Sequence, residues 1–204
     1  YMAEMFANNP QNPADKYVVS LFALLMSAPA RISEVHDLPL DCLHSEKDRN
    51  GSPKLGLRFY SGKGFGPAVK WVPTVFTDVT AKAVERLKEL TDEGRRVARW
   101  YEYHPDQFYR HEACPAIDEN TPLTVTQVCD ALGIKYRGLP CFARAVLKNL
   151  ANPISKFLHE NSITLDQVTL AVLNRYARSR LPKDFPWKNK QLQLKWSDSL
   201  FCMR

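Results

Sequence analysis

The sequence predicts a mainly α chain with a small antiparallel β-hairpin, an α+β fold, and three observations lead to it. Apolar residues recur at helical spacing through Tyr17–Leu25 and again at Val79, Ala83, Leu87 and Leu90. Lys54–Tyr60 and Ala68–Pro73 have strand character on either side of the glycine-rich Ser61–Pro67. Beyond residue 120, Thr-x-x-Gln capping signals introduce short amphipathic helices. At 204 residues and 45% hydrophobic composition the chain can bury a sizeable core.

In order, residues 1–13 are polar and rich in Asn and Pro, which predicts a loop that ends where Pro13 and Asp15 open a helix. That helix is apolar nearly all round, through Tyr17, Val18, Leu21, Phe22, Leu24 and Leu25, and is expected to be buried. Ala28-Pro29 ends it. Ser33 and Glu34 form the first turn of a second, short helix reaching Leu38, and Pro39 forces an extended exit through Leu43. Residues 44–53 form a charged turn ending in Asn50-Gly51, a hairpin signal. The hairpin that follows carries Lys63 at its tip, and its return strand alternates Val69 and Trp71 with Lys70 and Val72.

Thr77-Asp78 caps a long amphipathic helix over about 78–100. The aromatic, acidic and Pro-containing stretch 101–120 is a boundary. Thr124 and Gln127 then start a helix that Gly133 closes, as in the first helix of a helix-turn-helix unit. A basic helix covers Cys141–Leu150 and a short one Ile154–His159. Thr164 and Gln167 repeat the capping pattern before a helix that runs to about Arg180. The tail is extended, with alternating Leu192, Leu194 and Trp196.

Charge is uneven along the chain. Residues 1–120 hold 15 Lys and Arg against 17 Asp and Glu, and residues 121–204 hold the remaining 13 against 5. The basic half includes Arg137, Arg144, Lys148, Arg175, Arg178, Arg180, Lys183, Lys188 and Lys190, the footprint of a polyanion binder. The five cysteines are scattered without any C-x-x-C, which favours reduced thiols over a disulfide framework. His104, His111 and Cys114 match no usual zinc spacing, so no metal is expected. With no apolar run of membrane-spanning length and no leader peptide, the expectation is a cytoplasmic protein without a membrane partner.

Two stretches carry chemistry. Ala30-Arg31-Ile32-Ser33-Glu34-Val35-His36-Asp37-Leu38, with Asp41 beyond it, resembles the first-arginine box of the tyrosine recombinases, the phage-integrase family. Leu57–Pro73, with Gly62-Lys63-Gly64 and the closing Val72-Pro73, looks like that family's β-hairpin. The resemblance covers about residues 15–95. It implies that Arg31 and Lys63 are catalytic, that Glu34 is a structural support, and that the fold includes part of the recombinase catalytic domain. It also implies double-stranded DNA as partner, a homo-oligomer on DNA, nucleoid association if bacterial, and no cofactor.

Elementary chemistry makes the same residues sensible. In-line attack on a phosphodiester builds negative charge on the non-bridging oxygens, which a planar guanidinium engages two at a time. An ammonium on a hairpin tip can protonate the departing 5′ oxygen as a general acid.

The family's second half is missing. It brings a His-x-x-Arg box and a tyrosine nucleophile, yet the third residue after His36, His44, His104, His111 and His159 is Pro39, Lys47, Gln107, Cys114 and Ser162. Tyr136 and Tyr176 read as core tyrosines, and the nucleophile stays unassigned. The expected organisation is therefore residues 1–105 as the N-terminal part of a catalytic domain and 106–204 as a basic helical insertion or extension. Arg137, Arg144, Lys148, Arg175 and Arg178 are the candidate DNA contacts. The opening at Tyr1 and the close at Phe201-Cys-Met-Arg204 suggest a piece of a longer recombinase, inactive alone; the alternative is a non-catalytic DNA-binding protein derived from the same fold. A third reading, a helical protein-interaction module, predicts no DNA affinity at low salt.

Overall fold

A computed structural model describes residues 2–47, 49–60, 67–136 and 138–202. It divides the chain into two compact units, residues 1–99 together with 182–204, and residues 100–181. Each has its own apolar core. The fold is α+β: helices with one antiparallel three-stranded sheet and one two-stranded sheet.

The first unit opens with α1 (Met2–Ala7), where the Asn- and Pro-rich composition predicted a loop. Phe6 explains the difference, since it is 6% exposed and joins the core. Then α2 (Pro13–Ser27) begins as predicted, with the Asn12 side chain accepting from the Ala14 N–H and Pro13 in the first turn. It is not buried all round. Val19, Ala23 and Leu24 face the core, whereas Val18, Phe22 and Met26, one turn apart from each other, are 45%, 45% and 55% exposed.

The short helix α3 (Ile32–His36) follows Arg31. Strands β1 (Leu43–Lys47), β2 (Pro53–Tyr60) and β3 (Pro67–Trp71) form the sheet in chain order, so β1 takes residues that the sequence assigned to a turn. Gly51, with φ of +81°, sits in the β1–β2 turn as Asn50-Gly51 predicts. Leu57 pairs with Leu43 and Lys70, and Leu57 and Phe59 are buried. The long helix α4 (Thr77–Tyr103) lays Ala83, Val84 and Leu87 into the same core.

The tail returns to this unit, against the expectation that 106–204 forms one region. Burial is the physical reason: Leu200 and Phe201 are 0% and 3% exposed within the first core. The tail contributes β4 (Trp187–Asn189) and β5 (Leu194–Lys195).

The second unit holds α5 (Val125–Leu132), α6 (Pro140–Lys148), α7 (Pro153–Glu160) and α8 (Leu170–Ser179). The Thr124–Gln127 capping box forms in both directions, and Gly133 ends α5 with φ of 64°. The repeat of that pattern at Thr164 and Gln167 makes only a short 3-10 turn, Leu165–Gln167. Val168 is extended instead, its carbonyl accepting from the Leu123 N–H at 2.8 Å, and Thr169 caps α8.

Candidate functional site

Arg31 occupies the N-cap of α3 with extended backbone (φ −80°, ψ 151°) and an exposed side chain. Its guanidinium has no hydrogen-bond or ion-pair partner among the described residues. Glu34, three residues on, turns back: its Oε2 accepts the Arg31 backbone N–H at 2.9 Å, the Glu half of a capping box.

The same oxygen accepts a second bond, from Lys70 Nζ on β3, at 2.9 Å. Lys70 also donates to the Pro29 carbonyl at 2.8 Å, and its ammonium lies 4.5 Å from the centre of the Phe59 ring. The Arg31 N–H, then the Lys70 ammonium, hold the Glu34 carboxyl below the usual carboxylate range. Glu34 thus joins the start of α3 to the middle of the hairpin's return strand. The sequence placed Lys70 on one strand face with Val72, and the structure shows Val72 to be buried, at 8% exposure.

Lys63 falls between β2 and β3 in the sequence and lies outside the described residues.

The tail clasps the other end of α3. Lys188 Nζ donates to the His36 carbonyl, to Ser199 Oγ at 2.8 Å and to the Phe201 carbonyl at 2.9 Å. Asn189 Nδ2 donates to Asp37 Oδ2 at 2.9 Å, the Leu200 N–H to the Leu38 carbonyl at 2.9 Å, and the Leu40 N–H to the Asp198 carbonyl at 2.8 Å. Burial pulls the Lys188 ammonium down to about 8. Burial and then the Lys188 charge lower the His36 imidazole, whose ring centre is 5.1 Å from that of Phe201. The sequence marked Lys188 by charge alone and Asn189 not at all, because the Lys188 partners His36, Ser199 and Phe201 lie 152, 11 and 13 residues from it, beyond any local pattern. With Lys188 committed to these acceptors, it does not belong to a polyanion-binding surface, where its charge had placed it.

Four of the five candidate DNA contacts are exposed on two helices of the second unit. Arg137 lies outside the described residues. Arg144 and Lys148 are exposed on α6, one turn apart, and line one groove. Arg175 and Arg178 are exposed on α8, and Arg178 pairs with Asp106 at 3.3 Å. The charge asymmetry is also divided: residues 100–181 carry 9 Lys and Arg against 8 Asp and Glu, and the basic tail belongs to the other unit.

Tyr136 donates its hydroxyl to Asp130 at 3.1 Å, and Tyr176 packs edge-on against Phe157 at 5.4 Å; both pack on the second core. His111 is also occupied, with Nε2 3.0 Å from the Ala131 carbonyl and Nδ1 accepting from the Ala113 N–H. No group of three His, Cys, Asp or Glu residues is placed to hold a metal ion among the described residues. No described helix is long and apolar enough to cross a membrane.

No protein-family model, curated protein or solved structure matches the chain.

Proposed function

We propose that this chain is part of a site-specific DNA recombinase that cleaves and rejoins DNA through a phosphotyrosine intermediate. In this reading Arg31 grips the scissile phosphate, Lys63 protonates the leaving 5′ oxygen, and the second arginine and the nucleophile lie outside residues 1–204. The observation that carries it is the double role of Glu34. One carboxylate oxygen fixes the backbone of Arg31 and also fixes β3, the strand that follows the Lys63 segment. A phosphate-gripping arginine and a general acid must keep a constant separation to act on one phosphodiester, and a shared carboxylate supports that.

The exposed Arg31 guanidinium, unpaired among the described residues, fits the same role, since a ligand oxyanion is a suitable partner for a planar donor set. The basic groups of residues 100–181 would add contacts to the DNA backbone, and a homo-oligomer on DNA is part of the proposal.

The test uses the polypeptide encoded by the uninterrupted reading frame, with a nicked duplex that traps covalent intermediates. Wild-type protein forms a protein–DNA adduct and Arg31→Ala forms none; an undiminished adduct from Arg31→Ala overturns the assignment. The absence of a His-x-x-Arg box supports a second reading, a non-catalytic DNA-binding protein derived from this fold. That reading predicts salt-sensitive duplex binding without an adduct.

A further inference from the structure

Helices α6 and α7 and the segment 163–166 border a groove of about 370 Å³ within the second unit. Arg144 and Lys148 line it from α6, and Ser155 and His159, also one turn apart, line it from α7. Leu150, 60% exposed, supplies apolar surface at its rim, over the buried Leu147 and Leu158.

Ser155 points to a ligand independently of the charges. The residue is 4% exposed, and its Oγ has no hydrogen-bond partner among the described residues. Buried hydroxyls are almost always paired, so an unpaired one beside a groove rimmed by two cations suits an incoming acceptor. Asp166 borders the groove close enough to Arg144 for the Arg144 charge to help lower its carboxyl, below the effect of its own hydrogen bonds. A carboxylate there opposes a multiply charged anion and favours a ligand that also brings a hydrogen-bond donor. A nucleotide unit within a strand meets each condition: a single negative charge on its phosphodiester, an apolar sugar and base face, and donors on the base edge.

We propose that this groove binds one nucleotide of a nucleic-acid strand, its phosphodiester held by Arg144, Lys148 and the Ser155 hydroxyl and its sugar or base lying on Leu150. The inference rests on the DNA-binding reading above, and it separates Arg144 and Lys148 from Arg178, which is paired with Asp106.

The experiment measures fluorescence anisotropy of labelled 20-residue single strands and duplexes of mixed sequence with the whole chain at about 50 mM salt, where backbone contacts are strongest. The double variant Arg144→Ser/Lys148→Ser should weaken binding at least about tenfold and reduce the salt slope by about 2, and Ser155→Ala should weaken it several-fold. The control Lys135→Ser/Arg180→Ser removes the same charge from exposed positions of the same unit that do not line the groove and have no ion pair among the described residues, and should cost clearly less. Circular dichroism confirms folding, and because Ser155→Ala removes only a hydroxyl, it keeps the test decisive if the double variant unfolds. Greater loss on the single strand identifies an unpaired nucleotide, and equal loss on both identifies backbone contact; either supports the groove. Equal losses from the groove and control variants, with Ser155→Ala neutral, overturn the groove and leave DNA binding standing. Absence of binding by the wild-type chain to both oligonucleotides overturns the groove and the DNA-binding reading together.

Discussion

Lys70 and Arg31 share one oxygen. Oε2 of Glu34 accepts the Lys70 ammonium and the Arg31 backbone N–H, each at 2.9 Å, so a strand of the sheet and the N-cap of α3 are held by a single carboxylate. A charge-assisted bond of this kind contributes more than an exposed ion pair, because both partners are more than two-thirds removed from solvent.

Glu34→Gln should therefore destabilise the fold by about 1–3 kcal/mol at neutral pH. The folded-state pKa of Glu34 is depressed, so its contribution is full above the unfolded value of about 4.5 and is lost as pH falls through the lower folded value. Urea denaturation of both proteins from pH 7 to pH 3 checks this: the gap between them narrows below about pH 4.5. A gap that stays constant to pH 3 contradicts it.

Lys188 gives a slope of the same sign in an alkaline window, from burial that disfavours its charged form. Its folded-state pKa of about 8 lies below the unfolded value of 10.5, so the unfolded chain binds more protons between those limits and stability rises with pH there. With Cys202→Ser in both proteins, because the Cys202 thiol interacts with the Lys188 charge, the parent should gain on the order of 2 kcal/mol over Lys188→Met between pH 7.5 and pH 10. Parallel stability curves over that range would show that the ammonium titrates as it does in the unfolded chain.

Gly56 tests the packing of the hairpin. It pairs with His44 on one side and Trp71 on the other, and a Cβ there would lie 2.5 Å from Val69 Cγ1 and 3.1 Å from the Trp71 ring. Val69 is branched and cannot swing clear cheaply, so Gly56→Ala should cost about 1–3 kcal/mol in thermal or denaturant unfolding. A neutral Gly56→Ala would mean that the strand shifts to make room.

The parts of the fold legible in the sequence are those fixed by local chemistry. Thr124–Gln127 with Gly133 satisfies its own backbone groups within a few residues, Pro13 opens α2 and Gly51 turns the chain between β1 and β2, and each forms where expected. What the sequence hid depends on distant partners. Thr164–Gln167 has the same capping chemistry as Thr124–Gln127, yet Leu123 draws Val168 into an extended pairing and the helix starts later. Phe22 and Met26 are as apolar as Leu24, and only tertiary packing decides which of them meets the core. In the site, Arg31 and Glu34 stood out by spacing, whereas Lys188 acquires its role from acceptors at His36, Ser199 and Phe201 that no local pattern reveals. Charge counting along the chain does not follow the units either: residues 100–181 carry 9 Lys and Arg against 8 Asp and Glu, and the basic tail belongs to the other unit.

The most direct test of the account separates Arg31 from Lys63 by their chemistry. Adduct formation by the full reading-frame polypeptide is measured on a normal duplex and on one whose scissile 5′ oxygen is replaced by sulfur, a leaving group that needs no proton. Lys63→Ala should be slowed at least about a hundredfold on the oxygen substrate, the usual scale of a general acid, and recover near wild-type rate on the sulfur substrate. Arg31→Ala should stay defective on both, because the charge on the non-bridging oxygens is unchanged by the leaving group. Adduct formation by Arg31→Ala at the wild-type rate, or a Lys63→Ala defect that sulfur does not relieve, would contradict the assignment of these two residues.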